Sequence, residues 1–234
     1  MLEGKGLLAL WNGVDPARAA EYDLWHTREH VPERVAVPGM LSARRYVAGN
    51  GPLPQYLTLY DLEDIGVLTS APYRRLLEQP TPWSRSMRPS FRGFLRLACR
   101  PLARLGGGAG GALIATTLGL ADGAAWANAE RIAAMLRGAL AIPAVSGAQL
   151  AVVASDIPAV PFTIGGDMPD YPRDAVLTLE GYDREALVTA SGAIAGWLGA
   201  SVLAGATTAW TSYSLGYLIC RADLPFVVTA AQPA

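Results

Sequence analysis

Lysine is almost absent from this chain: Lys5 stands alone, and the other eighteen of its 19 basic residues are arginine. We read that bias as composition rather than function, although the guanidinium is the better fork for anions. Two cysteines in 234 residues exclude a disulfide scaffold. Charged residues make up only 17% and apolar residues 51%. That excludes a disordered chain, because so much apolar surface offsets the entropy of ordering. A formal net charge of −1 gives no bulk attraction to duplexes, so no nucleic-acid partner is expected. The opening MLEGKGLLALWNG lacks the long apolar core of a signal peptide, and a cytoplasmic location with reduced thiols is expected. Residues 186–220 carry no charge over 35 positions, long enough for a bilayer span. Ser, Thr and Gly recur through that run, which splits into a helix-like and a strand-like half, so no membrane partner is expected.

What is present is internal likeness. Residues 1–104 carry a net +4 and residues 105–234 a net −5, opposed charges that suit two packed halves. Leu97–Arg100 (LACR) reappears as Leu218–Arg221 (LICR), 121 residues on, and Leu57-Thr58-Leu59 as Leu177-Thr178-Leu179, 120 residues on. Earlier segments match at a smaller offset: LLALWNGVD (7–15) with LIATTLGLAD (113–122), and Pro38 with Pro143. One insertion, the stretch 155–174 in the second half, accounts for the jump. Repeats come before fold reasoning because missing one misassigns the whole chain.

Each half reads β-α-β-β-α-β. Strands are expected at 5–12, 40–48, 55–62 and 91–100, then at 111–119, 145–154, 174–182 and 208–221. Helices are expected from Asp15-Pro16 toward residue 30, then over 64–79, 122–140 and 184–199. This order is the ferredoxin-like split βαβ unit. The strands are apolar on both faces (LLALW, YLTLY, AVLTL, LGYLI), so each sheet must be covered on both sides. The expected fold is therefore α+β: two tandem ferredoxin-like βαββαβ repeats, 1–104 and 105–234, forming an α+β barrel within one chain.

Polar chemistry concentrates in EYDLWHTREHVPERVAVPG, residues 21–39, which holds both histidines, His26 and His30. His-x-x-Glu-His is formally an inverted zincin motif with Glu29 as base. No further helix supplies a third ligand, so no metal site is expected. Pro32 cannot donate to the carbonyl of residue 28, which predicts a helix end or kink near His30. A helix C-terminus there would favour imidazolium and raise the His30 pKa, placing it for proton transfer. Tyr22 and Trp25 add aromatic surface one turn earlier. An ideal wheel puts Ala17, Ala20, Leu24, Val31 and Val35, with Arg28, toward the sheet and both histidines off that stripe.

The run WHxxEHVPER, then VPG, then ARRY resembles the EthD-like family of the dimeric α+β barrel superfamily over about residues 4–100. The resemblance implies that His30 closes the first helix and points into a pocket between helices and sheet. It implies cofactor-free chemistry of the isomerase, cyclase or monooxygenase kind, on a compact apolar or aromatic molecule. The second half has WANAERIAAML at the matching place, without His or the internal Pro, so at most one half carries the His-type site.

Other features weigh less. Trp11, Tyr46, Tyr56, Tyr60 and Trp83 are candidate pocket walls, with core packing the competing reading. The arginines at 85, 88, 92, 96, 100 and 104 suggest a solvated strand edge, with anion binding second. Cys99 and Cys220 are expected as buried thiols at equivalent places. LGGGAGG (105–111) reads as a flexible linker, and the inserted loop 155–174 as a pocket lid or an arm for a partner chain. The expectation is a cofactor-free enzyme or ligand-binding protein, monomer or homodimer, with His30 as acid/base. Tyr22, Trp25, His26, Trp11, Tyr46, Tyr60 and Trp83 would bind the ligand. The alternative is a non-catalytic structural or binding module whose histidines serve an interface.

Overall fold

The computed structural model describes residues 4–50, 53–120, 129–158, 172–199 and 209–224. Its strands are β1 (Gly6–Val14), β2 (Met40–Asn50), β3 (Tyr56–Leu62), β4 (Phe91–Gly106), β5 (Ala112–Leu118), β6 (Val145–Val153), β7 (Ala175–Gly181) and β8 (Thr211–Cys220). They close into one antiparallel barrel in the order β1-β3-β2-β8-β5-β7-β6-β4. Read around the barrel, β4-β1-β3-β2 and β8-β5-β7-β6 are the same arrangement of first, second, third and fourth strands. The halves meet where β2 pairs β8 and β4 pairs β6.

Alternation along the strands explains the closure. Leu7, Ala9, Trp11, Leu57, Leu97 and Tyr213 belong to one buried cluster to which every strand contributes, the barrel lumen. Residues of the opposite parity, such as Leu8, Tyr60 and Ala98 in the first half and Ile114, Leu150 and Leu177 in the second, face outward under helices. In the first half these helices are α1 (Ala19–Trp25), α2 (Val31–Val35), α3 (Ala71–Glu78) and α4 (Pro82–Met87); in the second, α5 (Ala129–Leu140) and α6 (Arg184–Gly199). Among the described residues no helix is long and apolar enough to cross a membrane. Residues 122–128 of an expected helix, and 159–171 of the inserted loop, lie outside the described residues.

Pairing corrects the sequence matches by small but consequential slips. Leu7 pairs with Asp61 and Leu113 with Glu180, so β3 and β7 correspond at an offset of 119. The LTL match at 120 is one residue out, and one residue turns every side chain to the other face. Leu57 accordingly fills the lumen while Leu177 packs under α5. Leu7 opposes Cys99 and Leu113 opposes Tyr213, so Cys220 is not the counterpart of Cys99. Cys99 is buried and Cys220 only half-buried, and both are free thiols.

One end of the lumen holds a charged cluster. Arg44, wholly buried, ion-pairs with Asp61 at 3.2 Å and with Glu180 of the other half. Arg104 reaches Asp61 at 2.8 Å, and its Nε donates to Gln149 Oε1 at 3.0 Å. A register shift at Pro101–Ala103 turns Arg104 inward. With the Arg100–Asp156 pair at 2.6 Å, the basic first half and acidic second half exchange charges across their seams. Gly106 (φ 81°) is no slack linker: a Cβ there would meet Ser146 O at 2.2 Å. Gly110 N–H donates to Glu180 at 3.0 Å.

Candidate functional site

The helix that carries both histidines does not stop at Pro32. Helical backbone runs from Ala19 to Val35, widened at His26–His30 into a π turn in which Val31 N–H donates to His26 C=O. The extra residue in that turn absorbs the donor that Pro32 lacks. The expected helix end at His30 is thereby corrected. So is the wheel: Ala17, Ala20 and Arg28 are exposed and Leu24 is 42% exposed. The inward side before the π turn is Tyr22, Trp25 and His26, aromatic mass that a count of aliphatic residues passes over.

The rings on this side form a ladder. Tyr22 lies 5.1 Å from His26, Trp25 lies 4.3 Å from His30, and the two imidazoles are 5.4 Å apart. Tyr22 OH donates to Asn12 Oδ1 at 3.1 Å, and Trp25 Nε1–H donates to Ser84 Oγ at 3.2 Å. His26 Nε2 lies 3.4 Å from Thr58 Oγ1. Glu29, the formal base of the zincin reading, instead accepts from Thr81 and Ser84, tying α4 to the histidine helix. Thr81 caps α4, accepting from Ser84 N–H with Pro82 next, a helix-start signal carried by TPWS. Among the described residues no three His, Cys, Asp or Glu side chains gather as metal donors.

A pocket of about 510 Å³, open mouth included, lies between these helices and the outer face of β1 and β4. Trp25, His30 and Arg34 line it from the first helical segment, Tyr73 and Leu77 from α3, Ser84 from α4, Arg88 from the turn beyond, and Leu10, Phe91, Phe94 and Arg96 from the sheet. Phe91 and Phe94, three apart, could not share a face of a regular strand. They do here because the β1–β4 register skips Gly93, whose φ of 55° makes a bulge. Arg96 is a pocket residue. β4 pairs β1 over Phe91–Cys99 and β6 over Cys99–Gly106, so Arg92 and Arg96 lie where β4 has a strand on one side only. Arg92 is at the exposed edge that the arginine spacing suggested, and Arg96 is turned into the pocket.

His30 Nδ1 and His26 Nδ1 are buried and have no hydrogen-bond partner among the described residues. Burial, then the charges of Arg34, His26 and Arg88, holds the His30 pKa well below the usual imidazole range. The expected rise is corrected: the ring sits mid-helix, away from a negative helix end, among cations. Burial and the Arg45 and Arg34 charges lower His26 likewise. A neutral imidazole with a free nitrogen at a pocket wall can accept a proton at neutral pH.

Of the other expected ligand residues, only Trp25 joins His30 in the pocket. Trp11 and Tyr46 fill the barrel lumen, where Tyr46 OH donates to Glu180 at 3.3 Å. Tyr22, His26 and Tyr60 are packed beneath the helices, and Trp83 Nε1–H donates to Glu21 at 3.1 Å. Arg34, Tyr73, Phe91 and Phe94 were not singled out; alternating Phe and Arg in FRGFLR was the available signal.

These features define an α+β barrel with a helix-covered pocket on its first half. No protein-family model and no curated protein matches the sequence. Solved structures do share the fold. An anthrone oxidase-like protein superposes with a TM-score of 0.68 at 10% identity, over 99% of this chain and 98% of that one. A putative monooxygenase from Fusobacterium nucleatum gives 0.58 at 7% identity, over 93% and 95%. A heme-binding protein from Thermus thermophilus gives 0.53 at 12% identity, over 97% and 96%. At such identities the likeness is one of fold, and what those proteins bind or oxidise is said of them alone.

Proposed function

We propose that this chain is a tandem duplication of the ferredoxin-like unit, of EthD-like type, and a cofactor-free enzyme or ligand-binding protein for a compact aromatic molecule. Its ligand occupies the pocket between the first-half helices and β1–β4, and His30 acts there as a base. The observation that carries this reading is the His30 ring: its Nδ1 is buried and without a hydrogen-bond partner among the described residues, and it is set in an aromatic wall beside Trp25. Monooxygenase-like and heme-binding neighbours of the same fold support a small-molecule role in general terms. The alternative, histidines serving an interface between chains, fits less well with two rings packed against Tyr22 and Trp25 of their own chain.

The test is a protein-observed NMR screen of aromatic fragments, scored by shifts of the His30 ring and Trp25 indole resonances. Fragments that move both support the reading, and a hit that turns over should lose turnover in His30→Ala while keeping its affinity within a few-fold. A library in which no fragment perturbs the His30 ring overturns the pocket; turnover retained in His30→Ala overturns the base.

A further inference from the structure

We propose that the ligand of this pocket is an aromatic carboxylate, its ring held between the aromatic walls and its anion seated on the guanidinium of Arg96. The inference rests on the pocket proposed above and names the class of molecule it takes. Three arginines line the pocket, Arg34, Arg88 and Arg96, and no Asp or Glu is among the lining residues. Excess positive charge shows in Arg88, whose pKa burial and then the Arg34 charge push down.

The arginines along β4 locate the anion. They recur at 92, 96, 100 and 104. Arg92 is paired with Asp15 at 2.9 Å, Arg100 with Asp156 at 2.6 Å and Arg104 with Asp61 at 2.8 Å. Arg34, across the pocket, is paired with Glu33. Arg96 has no carboxylate within reach among the described residues, and its Nε is buried without a hydrogen-bond partner. A buried donor left bare is costly unless something arrives to accept from it. A guanidinium presents two parallel N–H groups that match the two oxygens of a carboxylate. Around it the walls are flat: Phe91 and Phe94 lie stacked at 6.2 Å with 9° between their planes, with Trp25 and Tyr73 completing the lining. An anion there would also offset the Arg34 and Arg88 charges that, after burial, hold the His30 pKa down, so binding should strengthen the imidazole as a base.

The experiment compares two probes of nearly equal shape, 2-naphthoate and 2-naphthamide, by calorimetry and the Trp25 indole NMR shift on the full chain and on Arg96→Gln and Arg92→Gln. The expected result is naphthoate binding at least about tenfold tighter than naphthamide, as a charge-assisted hydrogen bond supplies. Arg96→Gln should bring naphthoate down to the naphthamide level and leave naphthamide unchanged, while Arg92→Gln keeps the preference. If wild type binds both probes equally well, the carboxylate inference falls and the aromatic pocket stands. If the preference survives in Arg96→Gln, the seat on Arg96 is overturned. If neither probe binds, the inference falls together with the pocket reading. A circular-dichroism melt of each variant shows whether a lost preference comes from a folded protein.

Discussion

The two halves share a strand order and differ in what their helices carry. Over the second half, α5 and α6 lay Ile132, Leu136, Ala139, Leu187 and Ala190 on the sheet, an aliphatic layer. Over the first half the layer contains Tyr22, Trp25, His26, His30 and Arg34, with Arg96 rising from the sheet to meet them. The strands satisfy the same demand in both halves, closing a lumen and hiding an outer face. Among the described residues, the first half leaves the buried polar atoms His26 Nδ1, His30 Nδ1 and Arg96 Nε without partners beneath its helices. Architecture and chemistry are thus written in different elements: one in strand alternation, the other in the choice of helix residues. The charged end of the lumen belongs to neither half alone, since Arg44 holds Asp61 of the first and Glu180 of the second.

The comparison breaks most readily at that shared cluster. Arg44→Met leaves Asp61 and Glu180 buried without their common cation. A loss of about 3–5 kcal/mol is expected in urea unfolding; a loss below about 1 kcal/mol would mean the halves do not depend on it. Next come paired truncations of the two helical layers. Trp25→Ala should cost about 3–5 kcal/mol and Leu136→Ala about 2–5. Only the first should also abolish binding to the pocket, which a fluorescent aromatic probe would report.

A smaller effect tells the halves apart by pH. His26 and His30 have folded pKa values below the unfolded one, so on acidification the unfolded chain takes up protons that the folded chain refuses. Stability present above about pH 6.5 is lost below it, by up to ~1.4 kcal/mol per pH unit for each imidazole. Urea midpoints between pH 7.5 and 5 should fall in wild type and flatten in the His26→Gln/His30→Gln double variant. A midpoint that rises on acidification would contradict the burial of both rings. The smallest effect is chemical. Burial pushes the Cys99 thiol up to about 12, so a thiol reagent should titrate Cys220 alone in the folded protein and both cysteines in urea.

Much of the barrel was legible because strand signals are local. LLALW, YLTLY and AVLTL announce themselves by composition, and β1, β3, β5 and β7 fall within a residue or two of expectation. Register was not legible. Leu57-Thr58-Leu59 and Leu177-Thr178-Leu179 look alike as letters, yet their side chains face opposite ways, because pairing rather than resemblance decides which face meets the lumen. The site was half legible. WHTREHVP pointed to a helix whose His30 and Trp25 line a pocket. The sign of the His30 shift was missed because Pro32 reads as a stop, whereas a π turn lets the helix pass through it. Arg96 stood in the arginine spacing, with anion binding as its second reading. It was Phe91 that the Gly93 bulge hid, a backbone device that brings it to the face of Phe94 and shows in no side-chain pattern.

That π turn has a consequence for the phase of the helix. It holds one residue more than an α turn, and each helical residue advances the chain by about 100°. Everything after His30 is therefore rotated by about that angle from where an uninterrupted helix would leave it. Tyr22 and Trp25 were written for one phase and Val31, Arg34 and Val35 for another, yet both sets are buried against the same sheet. The insertion works as an angular coupling between two short amphipathic codes. A single deletion within HTREH would leave every residue's chemistry intact and point half of them at solvent.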